Sequence, residues 1–372
     1  MVLSAGSILL SDYADQIKDT DVLNSTDINP VLHGLYGEVG GIMSTAKKAI
    51  REKNAYPSFR QAAEEEFGDT LWYLAALCRR LNISLEEVFA EAAGSERFKS
   101  VGIASDVVGG FAHAIVPTSS GSDDATLFKL AKSAAALLEP KVDRSTVVNF
   151  AADYLDALHV TNLTFSDVVR RNLRKARGAF INPPLSELKD FDINFSPEEQ
   201  LPREFRIRVS QRASGKSYMQ WNDVFIGDPL TDNISDPDGY RFHDVFHLAY
   251  AAILHWSPVV RALIKQKRKS DPHYDEAEDG GRAIVVEEGL TTWIFSKAKQ
   301  LCFFEGQTRV SFGILKTIEE FVAGYEVEQC PLKLWERAIL DGYAVFRQIR
   351  DANGGWIIGN RNDRTIQYAP LE

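Results

Sequence analysis

The stretch Glu64 to Leu74, Glu-Glu-Glu-Phe-Gly-Asp-Thr-Leu-Trp-Tyr-Leu, constrains this chain more than any other. Glu66 and Asp69 are three residues apart, so on a helix both carboxylates leave one face. Phe67, Leu71, Leu74, Cys78 and Leu81 follow at helical spacing and form a face that packs. Acids set against such a stripe suit a helix that presents oxygen ligands to Mg²⁺ inside a bundle. A second helix is predicted over 31–53, with Leu32, Leu35, Val39, Ile42 and Ala46 on its packed face and Glu38 beside that seam. Lys47 and Lys48 stand near its C-terminal end, where they either answer the helix dipole or reach a phosphate.

The pattern is mainly α. A short helix is expected over 4–20, Pro57-Ser58 opens the acidic helix, and Ser84-Leu85-Glu86-Glu87 is a capping box that starts another. Shifting the sequence by eighty positions brings out an echo. Phe67, Leu71, Leu74 and Cys78 fall on Val147, Ala151, Tyr154 and Leu158, and the capping box returns as Thr164 and Asp167. Glu66 and Asp69 fall on Thr146 and Asn149, so the second copy lacks the acids. Residues 117–124 would join the copies.

At 372 residues the chain is long enough for two domains. We expect a helical bundle over 1–181, a polar, proline-bearing linker over 182–202, and a helical domain with short strands over 203–372. Phe205-Arg206-Ile207-Arg208-Val209 alternates and predicts a hairpin with 218–221, while Asp228-Pro229 marks a turn. Helices are expected near 240–256, 258–269, 280–300, 308–326 and 331–350, and two strands near the C-terminus. The net charge of −10 argues against extended nucleic-acid binding, which needs a basic surface. Three cysteines without metal spacing, no basic leader and no apolar run of spanning length predict a reduced, cytoplasmic protein without membrane association.

His33-Gly34-Leu35-Tyr36-Gly37-Glu38-Val39-Gly40, followed by Glu65-Glu66-Phe67-Gly68-Asp69-Thr70-Leu71-Trp72-Tyr73-Leu74, resembles the all-α nucleoside triphosphate pyrophosphohydrolases of the MazG type. That family's pattern is E-x-x-E, a spacer, then E-x-x-D. The resemblance covers about residues 25–180. It implies Mg²⁺ or Mn²⁺ on Glu38, Glu66 and Asp69, with Glu65 as a spare ligand or base. The implied reaction converts a nucleoside triphosphate to the monophosphate and pyrophosphate. The family's unit often closes with N-x-x-K, and Asn172-Leu173-Arg174-Lys175-Ala176-Arg177 is similar, but it follows the second copy. The resemblance therefore implies a fused pseudo-dimer, with the metal site in the first copy and with Asn172, Lys175 and Arg177 of the second among the nucleotide-binding residues. It also implies homodimer assembly, since family members assemble through these helices. One departure matters: Gly41 stands where the second glutamate of E-x-x-E belongs. Water or Glu65 would fill in, or the site binds nucleotide as a sensor without hydrolysing it.

A second constellation lies at Tyr240-Arg241-Phe242-His243-Asp244-Val245-Phe246-His247. His243 and His247, at i and i+4, form a metal clamp, with Glu287 and Glu288 downstream. Three readings compete: a zincin-like site with Asp244 in place of the general-base glutamate; a phosphohydrolase built on the His243-Asp244 dyad, which lacks a separate upstream histidine in this domain; and, preferred, the helical C-terminal domain that accompanies some MazG-type proteins, whose recurring runs the segments His243–His247, Trp256-Ser257-Pro258, Lys267-Arg268-Lys269 and Glu287-Glu288 resemble. All allow a second divalent metal on His243, Asp244, His247, Glu287 and Glu288. Lys267 and Arg268, in the basic run Lys265–Lys269, either end a solvated helix or meet nucleotide phosphates.

Overall fold

The computed structural model describes residues 8–23, 26–56, 59–100, 115–117 and 123–371. Residues 4–7 of the expected first helix, the opening Pro57-Ser58 and 118–122 of the expected joint lie outside the described residues. The chain divides into two compact units, Met1–Ile181 and Asn182–Glu372. Most described residues are helical, and among them no helix is long and apolar enough to cross a membrane.

The first unit is a helical bundle. Its helices are α1 (Leu10–Lys18), α2 (Asn29–Glu52), α3 (Phe59–Leu81), α4 (Leu85–Ala93), α5 (Asp123–Ala136), α6 (Arg144–Val160) and α7 (Phe165–Phe180). Two short strands not foreseen in the sequence, β1 (Phe98–Ser100) and β2 (Ile115–Pro117), pair antiparallel between α4 and α5. The stripes of α3 and α6 make one core: Phe67, Leu71, Leu74, Cys78, Val147, Ala151, Tyr154 and Leu158 are all buried. Tyr154 ties the two helices, its hydroxyl donating to the Phe67 carbonyl at 2.9 Å.

The echo at eighty residues extends to the backbone. Asn82 and Asn162 both end their helices at φ 56°, in the left-handed conformation that asparagine tolerates. Ile83 N–H then reaches back to the Cys78 carbonyl, and Leu163 N–H to that of Leu158. Ser84 and Thr164 cap α4 and α7, accepting from the N–H of Glu87 and Asp167. The likeness covers the helix–turn–helix pairs α3–α4 and α6–α7.

The second unit sets helices against an antiparallel sheet. Strands β3 (Glu204–Gln211), β4 (Ser217–Trp221), β5 (Val224–Leu230), β6 (Gly354–Asn360) and β7 (Thr365–Ala369) lie in the order β5-β4-β3-β6-β7. The alternation of β3 points Phe205, Ile207 and Val209 into the core. Asp228-Pro229, expected to turn the chain, lies instead within the edge strand β5, where a missing N–H is tolerated. The turn falls earlier, at Asn222-Asp223, both with positive φ, as a two-residue hairpin loop requires.

The helices are α8 (Asp244–Ala249, continued by a π turn over Tyr250–Leu254), α9 (Pro258–Ile264), α10 (Gly281–Gln300), α11 (Phe312–Phe321) and α12 (Leu332–Ala352). Two expectations change here. Residues 182–202 belong to the second unit rather than to a free linker. Leu201 is core, Asp192 is wholly buried against Arg261, and Arg361 pairs with Asp190 at 2.8 Å and Asp192 at 3.2 Å. The polar residues that made this stretch read as a linker are the counter-charges of buried arginines. Helix α9 also stops before residue 269, at a left-handed Lys265.

Candidate functional site

Helices α2 and α3 approach closely because glycines face the partner helix. A Cβ on Gly34 would lie 2.1 Å from the Tyr73 ring, and one on Gly41 would lie 1.9 Å from Glu66 Oε2. The Glu66 carboxylate therefore fills the space over the residue where the E-x-x-E pattern would place its second acid. Glu38 is half-buried one turn earlier on α2. Burial, with Asp69 and Glu66 next in effect, pushes its carboxyl up to about 8.

Helix α7 brings the polar complement. Lys175 Nζ lies 2.8 Å from Glu65 Oε1 and 2.5 Å from Asp69 Oδ2. Asn172, buried, donates to Asp69 Oδ1 at 3.0 Å and accepts from the Tyr13 hydroxyl at 2.6 Å. A chain Tyr13–Asn172–Asp69 thus fixes the aspartate. Tyr13 carries no signal of this role in the sequence beyond its place in the expected short helix. Gly68 helps: a Cβ there would come within 2.9 Å of Asn172 Cβ. Lys175 thus bridges two of the four carboxyl groups, Glu65 and Asp69. Hard carboxylate oxygens suit Mg²⁺, which keeps several waters and needs only one or two direct carboxylates, but among the described residues no three of these acids bring ligand atoms within 4.8 Å of one another.

The other basic candidates are placed apart from the acids. Lys47 and Lys48 are exposed on α2, nine and ten residues beyond Glu38, or about 14 Å along the axis. Lys48 Nζ lies 5.9 Å from the Tyr56 ring centroid. Arg177 is exposed on α7. Glu64 points elsewhere, to Arg60 at 2.9 Å and Arg171 at 3.6 Å.

In the second unit, α8 places His243 and His247 on one face and α10 supplies the acids. Glu288 Oε2 lies 3.7 Å from His243 Nε2 and 3.5 Å from His247 Nε2. Asp244 Oδ1 is 3.7 Å from His243 Nε2. Donor atoms of His243, His247 and Glu288 all lie within 4.8 Å of one another. Burial opposes charge on His247, but Glu287 and Glu288 outweigh it and hold its pKa up at about 10. Surroundings that favour a proton there also favour a divalent cation.

Two expected residues have other roles. Glu287 was grouped with the metal ligands, but it is wholly buried behind His247, with both oxygens engaged. Oε1 accepts from His247 Nδ1 at 2.8 Å and from Ser257 Oγ at 2.7 Å, and Oε2 from the Val259 N–H at 2.9 Å. Arg268, a candidate for nucleotide phosphates, is wholly buried, with its guanidinium on Asp279 at 2.7 Å and Glu326 at 2.6 Å. Its neighbour Lys267 is half-buried in the loop after α9.

The sequence model of the MazG C-terminal domain matches residues 186–372, the whole of the second unit apart from its first four residues. No curated protein and no solved structure matches the chain. The match covers half of the chain, and the protein therefore belongs to the family that carries the MazG C-terminal domain.

Proposed function

We propose that the first unit hydrolyses a nucleoside triphosphate to the monophosphate and pyrophosphate. One observation carries this reading: Glu38 of α2 and Glu65, Glu66 and Asp69 of α3 meet Asn172 and Lys175 of α7 in one polar cluster of the bundle. Glu38, Glu66 and Asp69 would hold Mg²⁺ or Mn²⁺. When bound, the ion polarises the phosphate and lowers the pKa of a water. The protein's own groups do the rest. Asn172 and Tyr13 hold Asp69 in one orientation. Lys175, already 2.5 Å from Asp69, offers its charge to the oxygens of an entering phosphate. Water adds to the α-phosphorus as the bond to the α–β bridging oxygen breaks. That oxygen leaves with pyrophosphate, and a carboxylate of the cluster, Glu65 or Glu38, takes the water proton.

Pyrophosphate release from a panel of ribo- and deoxynucleoside triphosphates tests the reading. We expect Mg²⁺-dependent release that is abolished in Glu66→Ala/Asp69→Ala. Equal release by wild type and that variant would defeat it. A second reading has its own support: Gly41 leaves α2 with one acid of the E-x-x-E pair, which favours a nucleotide sensor. Saturable binding of a triphosphate without turnover would select the sensor.

A further inference from the structure

The cluster in the second unit is built differently from the acid cluster, and its hydrogen bonds say for what. His243 Nδ1 lies 2.9 Å from the Tyr240 carbonyl oxygen. A carbonyl only accepts, so Nδ1 carries the proton and Nε2 is the nitrogen turned toward Glu288. The His243 ring also stacks on Tyr240, with centroids 4.3 Å apart and planes within 4°, which fixes its orientation. His247 repeats the arrangement with a carboxylate: Nδ1 donates to Glu287, which Ser257 and the Val259 N–H hold in place.

Both imidazoles thus present Nε2 to a common point near Glu288 Oε2. His247 is wholly buried, and its Nε2 has no hydrogen-bond partner among the described residues. A buried polar atom left unmet is destabilising. A direct ion pair with Glu288 would close to about 2.7–2.9 Å, yet the separation is 3.5 Å. A tetrahedral ion with bonds of about 2.0–2.1 Å sets its donors about 3.3–3.4 Å apart. The observed 3.5 and 3.7 Å lie close to that spacing.

We propose that His243 Nε2, His247 Nε2 and a Glu288 carboxylate oxygen bind a divalent transition metal of the zinc class, with Glu287 orienting His247 and a remaining position open to water beside Asp244. Two imidazoles select zinc, nickel, copper or iron over magnesium, which prefers oxygen alone. The Glu288 side chain is 40% exposed, so ion and water enter from its side. Glu287 is a positioning residue.

The test is Zn²⁺ titration of the full chain, stripped by chelator, against a chromophoric competitor. The Glu66→Ala/Asp69→Ala background removes the acid cluster. One Zn²⁺ per chain is expected to bind there. Adding His243→Ala or Glu288→Gln should weaken it by more than the ~10–100-fold typical of losing a group that merely orients a ligand. Co²⁺ in place of Zn²⁺ should give a visible d–d band that both variants lose. Far-UV circular dichroism checks the fold. If His243→Ala unfolds, the half-exposed Glu288→Gln decides. Unchanged Zn²⁺ affinity in folded Glu288→Gln, or no Co²⁺ band in the parent, would overturn the proposal.

Discussion

On the two proposals above, the acid cluster of the first unit and the histidine cluster of the second would hold a cation in opposite ways. In the first, four carboxyl groups are gathered in one place. Lys175 bridges Asp69 and Glu65, and Glu38 is pushed up to about 8 by burial and by its acidic neighbours. In the second, each imidazole has a supporting partner: Tyr240 behind His243, and Glu287 behind His247, itself held by Ser257 and the Val259 N–H. A carboxylate-rich oxygen site suits a hydrated ion shared with a phosphate substrate. A rigid nitrogen site suits an ion that stays.

The contrast can be broken most severely at the acids. Glu66→Ala/Asp69→Ala should lower pyrophosphate release by about 100- to 1,000-fold or more, measured at saturating triphosphate. Next is Glu287→Gln, which keeps the shape but weakens the hold on His247. Zn²⁺ affinity should fall about 10–100-fold by competitive titration, and an unchanged affinity would mean that the rigidity of the second site is not what holds the ion. Gly41→Ala should have a smaller effect. Its methyl would meet the Glu66 carboxylate, the flexible end of a side chain, so that carboxylate shifts. Release should fall about tenfold, equivalent to roughly 1.4 kcal/mol, with little change in melting temperature.

The smallest effect is one of pH. The Glu38 carboxyl is raised in the folded state, so its contribution to stability is complete below its unfolded value of 4.5 and is lost as pH rises through about 8. Metal-free Glu38→Gln should therefore melt a few degrees above wild type at pH 9 and close to it at pH 5. Added Mg²⁺ should narrow the gap at pH 9, because a cation relieves the same repulsion. A gap that persists unchanged with Mg²⁺ would detach Glu38 from the metal site.

Much of this was legible from periodicity. The stripe Phe67–Leu71–Leu74–Cys78, its echo at Val147–Leu158 and both capping residues are local features, and all are realised. The carboxylates at 66 and 69 could be placed on one helical face without knowing what they met. What they met could not be read, since Asn172 lies 103 positions from Asp69. The roles of Glu287 and Glu288 were open to a finer reading. Glu287 falls on the buried stripe of α10 with Ala283, Leu290 and Ile294, whereas Glu288 falls beside it. A carboxylate on an apolar stripe must have its partners nearby, as Glu287 has in His247, Ser257 and the Val259 N–H. The segment 182–202 and Arg268 misled for one reason. Composition shows charge but not pairing, and Asp192 with Arg261, like Arg268 with Asp279, is charge folded inward.

The most direct test adds back one metal at a time. Protein stripped of all divalent ions should regain pyrophosphate release with Mg²⁺ alone, and Glu66→Ala/Asp69→Ala should not. Release that returns only with Zn²⁺, survives in Glu66→Ala/Asp69→Ala and disappears in His243→Ala would contradict the assignment of the chemistry to the first unit.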